Sequence, residues 1–173
     1  YSPQIQSNVV DYLPEEPNYV LLQMSGISYE GEPEIYKLSL DPSKLTTKLQ
    51  PHRKGIIDWV LDTQRQVRVG IAREKTQYKI YQLQENSKEM KTLWQFEAFS
   101  KDEVWPMGFD TNPDILFVKA LHNGKDAIFS VDLSTKSLEK KLIYADENYD
   151  VTGGLRRDPK SQKVVGVGSH FWE

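Results

Sequence analysis

Trp59-Val60-Leu61-Asp62-Thr63-Gln64-Arg65-Gln66-Val67-Arg68-Val69-Gly70-Ile71-Ala72 is a phrase this chain writes more than once. An apolar run ends at Asp62, a polar turn follows, and a second apolar run starts at Val67. Forty-eight residues on, Met107-Gly108-Phe109-Asp110 opens the same phrase and Ile115-Leu116-Phe117-Val118 closes it. Another 48 residues on, Leu155-Arg156-Arg157-Asp158 opens it a third time and Lys163-Val164-Val165-Gly166 follows. Pro14 stands 48 residues before Asp62, and Pro17-Asn18-Tyr19-Val20 stands 96 before Pro113-Asp114-Ile115-Leu116. A constant interval of this size marks a repeat architecture, in which each unit buries its apolar face only against its neighbours.

Working outward from the phrase, each unit reads as about four short strands. In the second unit, Ile56 to Leu61 and Val67 to Ala72 are strands about the Asp62 turn, Tyr78 to Leu83 is a third, and Met90 to Phe96 a fourth. Ile80 and Ile128 are 48 apart, as are Leu83 and Val131, so the period covers the third strand too. The third unit runs through Val104–Phe109, Ile115–Leu121, Ala127–Leu133 and Leu138–Tyr144. The first holds Val9-Val10, Tyr19–Met24, the alternating Ile35–Leu40 and Leu45–Leu49. A fourth begins at Asp150, with Thr152–Arg156 and Lys163–Val167. The window Glu85–Leu93 contains helix formers, but it falls where the repeat requires a turn and a fourth strand.

Four strands per repeat and a period in the forties describe a β-propeller blade. The expectation is an all-β chain, a partial propeller of four-stranded antiparallel blades. The blades fall near 5–50, 55–97 and 104–145, with an incomplete one at 150–173. Propellers close with about 4–8 blades, and no strand here is an obvious partner for tying the ends together. The chain therefore reads as an arc of a larger ring. Exposed blade faces and a free strand edge would invite self-association.

Composition narrows the function. The formal net charge of −3 and the scattered Lys and Arg give no basic face for nucleic acid. With no Cys, disulfides, thiolate zinc sites and cysteine nucleophiles are excluded. No apolar run approaches the ~20 residues of a membrane-spanning helix. The compartment is left open.

Motifs of chemistry fail on spacing. Gly26-Ile27-Ser28-Tyr29-Glu30 approaches a nucleophile elbow, but its second Gly, Gly31, comes one residue late. Ser169 and His170 are adjacent, so on a strand they would point to opposite faces. His52, His122 and His170 share no ligand spacing. Asp110–Asp114 and Asp146–Asp150 open like calcium loops, but Ile115 and Val151 stand where Gly is needed, and Leu121 and Arg157 where Glu is. Gly166-Val167-Gly168 lacks the third Gly and the helix of a dinucleotide motif. No cofactor is expected. Glu15-Glu16 reads as a solvated turn between prolines, and Trp59, Trp94 and Trp105 as core.

Three residues are candidates for channel or interdomain contact. Arg156 and Arg157 replace the apolar pair Val60-Leu61 and its counterpart Gly108-Phe109 on an inner strand. Two readings stay open for them: they line the central channel or meet another domain, or the strand is exposed because its blade is incomplete. Asp58, beside Trp59, is the third.

Leu13–Leu21, Tyr36–Leu40, Trp59–Asp62 with Val67–Gly70, and Tyr149–Leu155 followed by Lys163–Val167 resemble the propeller of bacterial prolyl oligopeptidase family serine peptidases, of the acylaminoacyl-peptidase and dipeptidyl-peptidase-like subgroup. The resemblance implies an accessory role. In that family the propeller caps an α/β-hydrolase domain, which carries the Ser, Asp and His, and restricts access to short peptides. It gives this chain no catalytic residue, and its implied partners are that hydrolase domain and a peptide substrate. The alternative is a propeller scaffold of a binding protein, WD-repeat-like or TolB-like. Against it, Asp58-Trp59 reverses the W-D dipeptide and no S-P-D-G turn occurs.

Overall fold

The computed structural model describes residues 7–25, 31–84 and 89–171. They form four small antiparallel sheets, each with its strands in sequence order, arranged like a four-bladed β-propeller. Blade 1 holds β1 (Ser7–Asp11), β2 (Tyr19–Ser25), β3 (Pro33–Ser39) and β4 (Thr47–Gln50). Blade 2 holds β5 (Ile56–Leu61), β6 (Val67–Glu74), β7 (Gln77–Leu83) and β8 (Met90–Glu97). Blade 3 holds β9 (Val104–Phe109), β10 (Ile115–His122), β11 (Lys125–Asp132) and β12 (Lys140–Tyr144). Blade 4 holds β13 (Leu155–Arg157), β14 (Val164–Val167) and a third strand, β15 (His170–Phe171), one more than the sequence pattern suggested. No helix occurs among the described residues. Residues 85–88 of the helix-forming window lie outside them, and Met90 onward is strand.

The repeat has a local cause at each of its fixed points. Asp62 ends the first strand of blade 2, and its Oδ1 accepts the Gln64 and Gln66 amides at 2.9 Å each. Asp158 does the same for the Ser161 amide at 2.7 Å. Such a carboxylate mimics a backbone turn and reverses the chain into the second strand. The second strands of blades 1, 2 and 3 accordingly begin at Tyr19, Val67 and Ile115, 48 residues apart. The register of the third and fourth strands breaks between Ile35 and Tyr36, Ile80 and Tyr81, and Ile128 and Phe129. A bulge bends the strand and raises its twist, so the same bulge at the same repeated isoleucine gives each of these blades its curl.

Two irregularities also have causes. Blades 2 and 3 join their second and third strands through two residues, Lys75-Thr76 and Asn123-Gly124, whereas blade 1 spans 26–32. The longer link puts Ile35 45 residues, not 48, before Ile80. In blade 4 the first strand starts at Leu155 rather than Thr152. Gly153 has φ +88° there, and a side chain on it would come within 2.7 Å of the Gly168 Cα.

Three apolar clusters fill the junctions between successive blades. Ile35 of blade 1 meets Ile56 and Trp59 of blade 2, and the Trp59 indole N–H donates to the Pro33 carbonyl at 2.7 Å. Blades 2 and 3 share the largest cluster, which includes Val69, Ile80, Phe96, Phe109, Leu116 and Val131. Tyr78, Phe96 and Trp105 stack and cross edge-on within it. Phe117 and Ile128 of blade 3 meet Val151, Val164 and Val167 of blade 4.

A polar lock accompanies the first junction. The Glu34 side chain is only 6 % exposed, yet it is a carboxylate. It accepts from the Lys48 ammonium at 2.9 Å, the His52 amide at 3.3 Å and the Tyr36 hydroxyl. Burial pushes its pKa up, but these hydrogen bonds together outweigh burial and hold it at about 2, below the ordinary 4.5. A depressed carboxylate stabilises the fold above its unfolded-state pKa, and that contribution is lost as pH falls through the folded value. At ~1.4 kcal/mol per unit, and discounting for a Lys48 that is half in solvent, we expect about 1–2 kcal/mol to vanish between about pH 4.5 and 2. Urea denaturation across that range checks this, and Glu34→Gln should flatten that part of the profile.

Candidate functional site

The first strand of every blade faces one central cavity of about 770 Å³, bounded by β1, β5, β9 and β13 and by the turns that follow β1, β5 and β13. Inner strands line it because each blade turns its first strand to the ring axis, and the turns of blades 1, 2 and 4 form its rim.

Arginines staple the blades around this rim. Arg65, in the turn of blade 2, reaches back to blade 1, where it meets Asp11 at 3.1 Å and Glu15 at 2.7 Å. Burial works against its charge, but the two carboxylates outweigh burial and raise its pKa. Arg68 links Asp62 of its own blade to Asp114 of blade 3, at 3.8 Å each. Arg157, on blade 4, donates through Nη2 to the Phe109 carbonyl of blade 3 and through Nη1 to the Gln162 carbonyl at 3.0 Å. Burial pulls its pKa down, partly offset through space by Asp110.

Of the three candidates from the sequence, Asp58 and Arg157 line the cavity and Arg156 does not. Asp58 accepts from the Gln23 side-chain amide of blade 1 at 2.8 Å, while Gln23 Oε1 accepts the Trp59 amide at 3.0 Å. Arg156 is exposed and donates through Nε to the Gly168 carbonyl of its own blade. Arg65, Gln23 and Lys160, also on the cavity wall, escaped the sequence reading. For Arg65 and Lys160 a signal existed: both sit two or three residues after the repeated Asp, where the turn projects toward the rim.

No family model, curated protein or solved structure matches this chain.

The remaining candidates are scattered. His52 sits by Glu34, His122 against the Phe129 ring at 6.1 Å, and His170 against the Tyr144 ring at 5.4 Å. Ser28 and its flanking Gly26 lie outside the described residues. Glu15 and Glu16 part company, the first to Arg65 and the second to Lys37 at 2.6 Å. The calcium-like loops spend their oxygens on their own backbone: Asp146 Oδ1 accepts the Asn148 and Tyr149 amides, and Asn112 Oδ1 the Asp114 amide. Among the described residues no three His, Asp or Glu side chains are grouped to hold a metal ion. Trp59 is buried, and Trp94 and Trp105 pack at the edge of the largest cluster.

Proposed function

We propose that this propeller is the non-catalytic segment of a prolyl oligopeptidase-like serine peptidase, and that it passes short peptides along its central channel to an α/β-hydrolase domain. The channel carries the reading. It is open, walled by extended strands, and studded with fixed polar groups that can guide a peptide without gripping it. The sequence resemblance points the same way.

The test is to express the complete reading frame that encodes this chain and to assay it beside the chain alone on acyl-peptide and aminoacyl-peptide reporters. Cleavage by the complete product and none by this chain is the expected result. If the complete product cleaves no such reporter, the reading is wrong.

A further inference from the structure

We infer that the blade 4 side of the central cavity, at Arg157 and Lys160, is a subsite for a peptide carboxylate. The inference rests on reading the channel as a peptide passage and adds which chemical group the passage recognises.

The argument is one of unmatched charge. Every acid on the cavity wall already has a protein partner. Asp11 and Glu15 share Arg65. Asp58 accepts from Gln23 and from the Trp59 amide. Asp62 holds two turn amides and faces Arg68. The two cations that blade 4 contributes are different. Arg157 bonds only to carbonyl oxygens, those of Phe109 and Gln162. A guanidinium has five N–H donors in a rigid fork, so these two bonds leave donors over, and carbonyls do not neutralise its charge, which Asp110 offsets only partly and through space. Lys160 is exposed and its ammonium has no ion pair or hydrogen bond among the described residues.

Arg157 is also held out for use. It occupies the repeat position filled by Leu61 in blade 2 and Phe109 in blade 3, so packing does not require a cation there. The neighbouring blade makes room for it. Gly108 lines the same cavity with φ +143°, and a Cβ there would press on Arg157 Nη2 at 3.3 Å. The two carbonyl bonds fix the guanidinium, which lowers the entropy lost when a guest binds. Partial burial strengthens its pull on an anion relative to open water. A planar carboxylate suits the fork, and Lys160 adds a mobile second charge.

The carboxylate can come from a peptide C-terminus or from an acidic side chain, and three probes separate these. Pentaalanine labelled on its N-terminal amine with an uncharged fluorophore and bearing a free C-terminal acid, its C-terminal amide, and an amide with one Glu in the middle are titrated into the full chain by fluorescence anisotropy. The free acid is expected to bind at least 10-fold more tightly than the plain amide, and the preference should shrink as salt rises. If the Glu-containing amide matches the free acid, the subsite reads side chains as well as termini; if it matches the plain amide, it reads termini only. Lys160→Glu, which removes no bond of the fold, should abolish the preference, and Arg157→Lys should reduce it. Equal binding of acid and amide overturns the inference while leaving the peptide-passage reading to its own hydrolysis test. Lack of binding by all three probes, or a preference that survives Lys160→Glu, also overturns it.

Discussion

Asp62→Ala is expected to destabilise the chain by about 3–5 kcal/mol, read as a fall in the urea midpoint, while Arg68→Leu is expected to cost about 1 kcal/mol or less. The Asp62 side chain is 1 % exposed and faces Arg68, itself 15 % exposed, at 3.8 Å. Removing the carboxylate takes from a largely buried guanidinium the better buried of the two carboxylates that it faces at 3.8 Å, Asp114 being half-exposed, and breaking a buried pair from one side is costly. It also strips the acceptor from the Gln64 and Gln66 amides that close the turn. Arg68 is another matter. Its counterparts in the repeat are Leu116, fully buried, and Val164, 4 % exposed, so blades 3 and 4 use an apolar residue at this place. A leucine there has room and company, and Asp62 keeps its turn amides, as Asp158 does with no arginine at the equivalent position. Equal losses in the two variants would mean that the ion pair, rather than the turn, sets the importance of Asp62.

The fold was legible because its repeat is physical at each fixed point. Asp62 and Asp158 recur because a short acceptor reverses the chain after the inner strand, a role that Asn112 takes in blade 3, where Asp110 accepts only the Thr111 amide, and Ile35, Ile80 and Ile128 recur because each marks the same bulge. Blade 1 was harder to read, since its longer link at 26–32 moves its third strand by three residues relative to the period, which is regained by blade 2. β15 was missed because His170-Phe171 is too short to show alternation. The candidate site was half legible. Arg157 stood out as a charge at an apolar repeat position and does line the cavity; its neighbour Arg156 made the same impression but points to its own blade, because adjacent residues of a strand face opposite ways. Gln23 was invisible: its partner Asp58 is 35 residues away on the next blade, and nothing local marks a glutamine as a bridge.

Phe109→Ala is expected to cost about 4 kcal/mol, against about 1–2 kcal/mol for Leu61→Ala at the same repeat position one blade earlier. Among the described residues Phe109 is the largest fully buried side chain, and it lies in the blade 2–blade 3 cluster, which holds fourteen buried residues of that set. The clusters on either side hold five and three. A ring removed from a dense cluster leaves a cavity that its neighbours close poorly, because β9 and β10 are tied by their ladder and the buried Leu116 is already held opposite Phe109. Leu61 is only partly buried at the edge of the smallest cluster, so water can reach the space it vacates. The same inequality predicts the order of local opening. Amides of β6, β7, β10 and β11 should exchange slowest with solvent, and those of the three-stranded blade 4 faster, since it is held by five buried residues and the Arg157 staple. Equal costs for Phe109→Ala and Leu61→Ala, together with uniform exchange across the four blades, would show instead that stability is shared evenly around the ring and that the blade 2–blade 3 junction is not its centre.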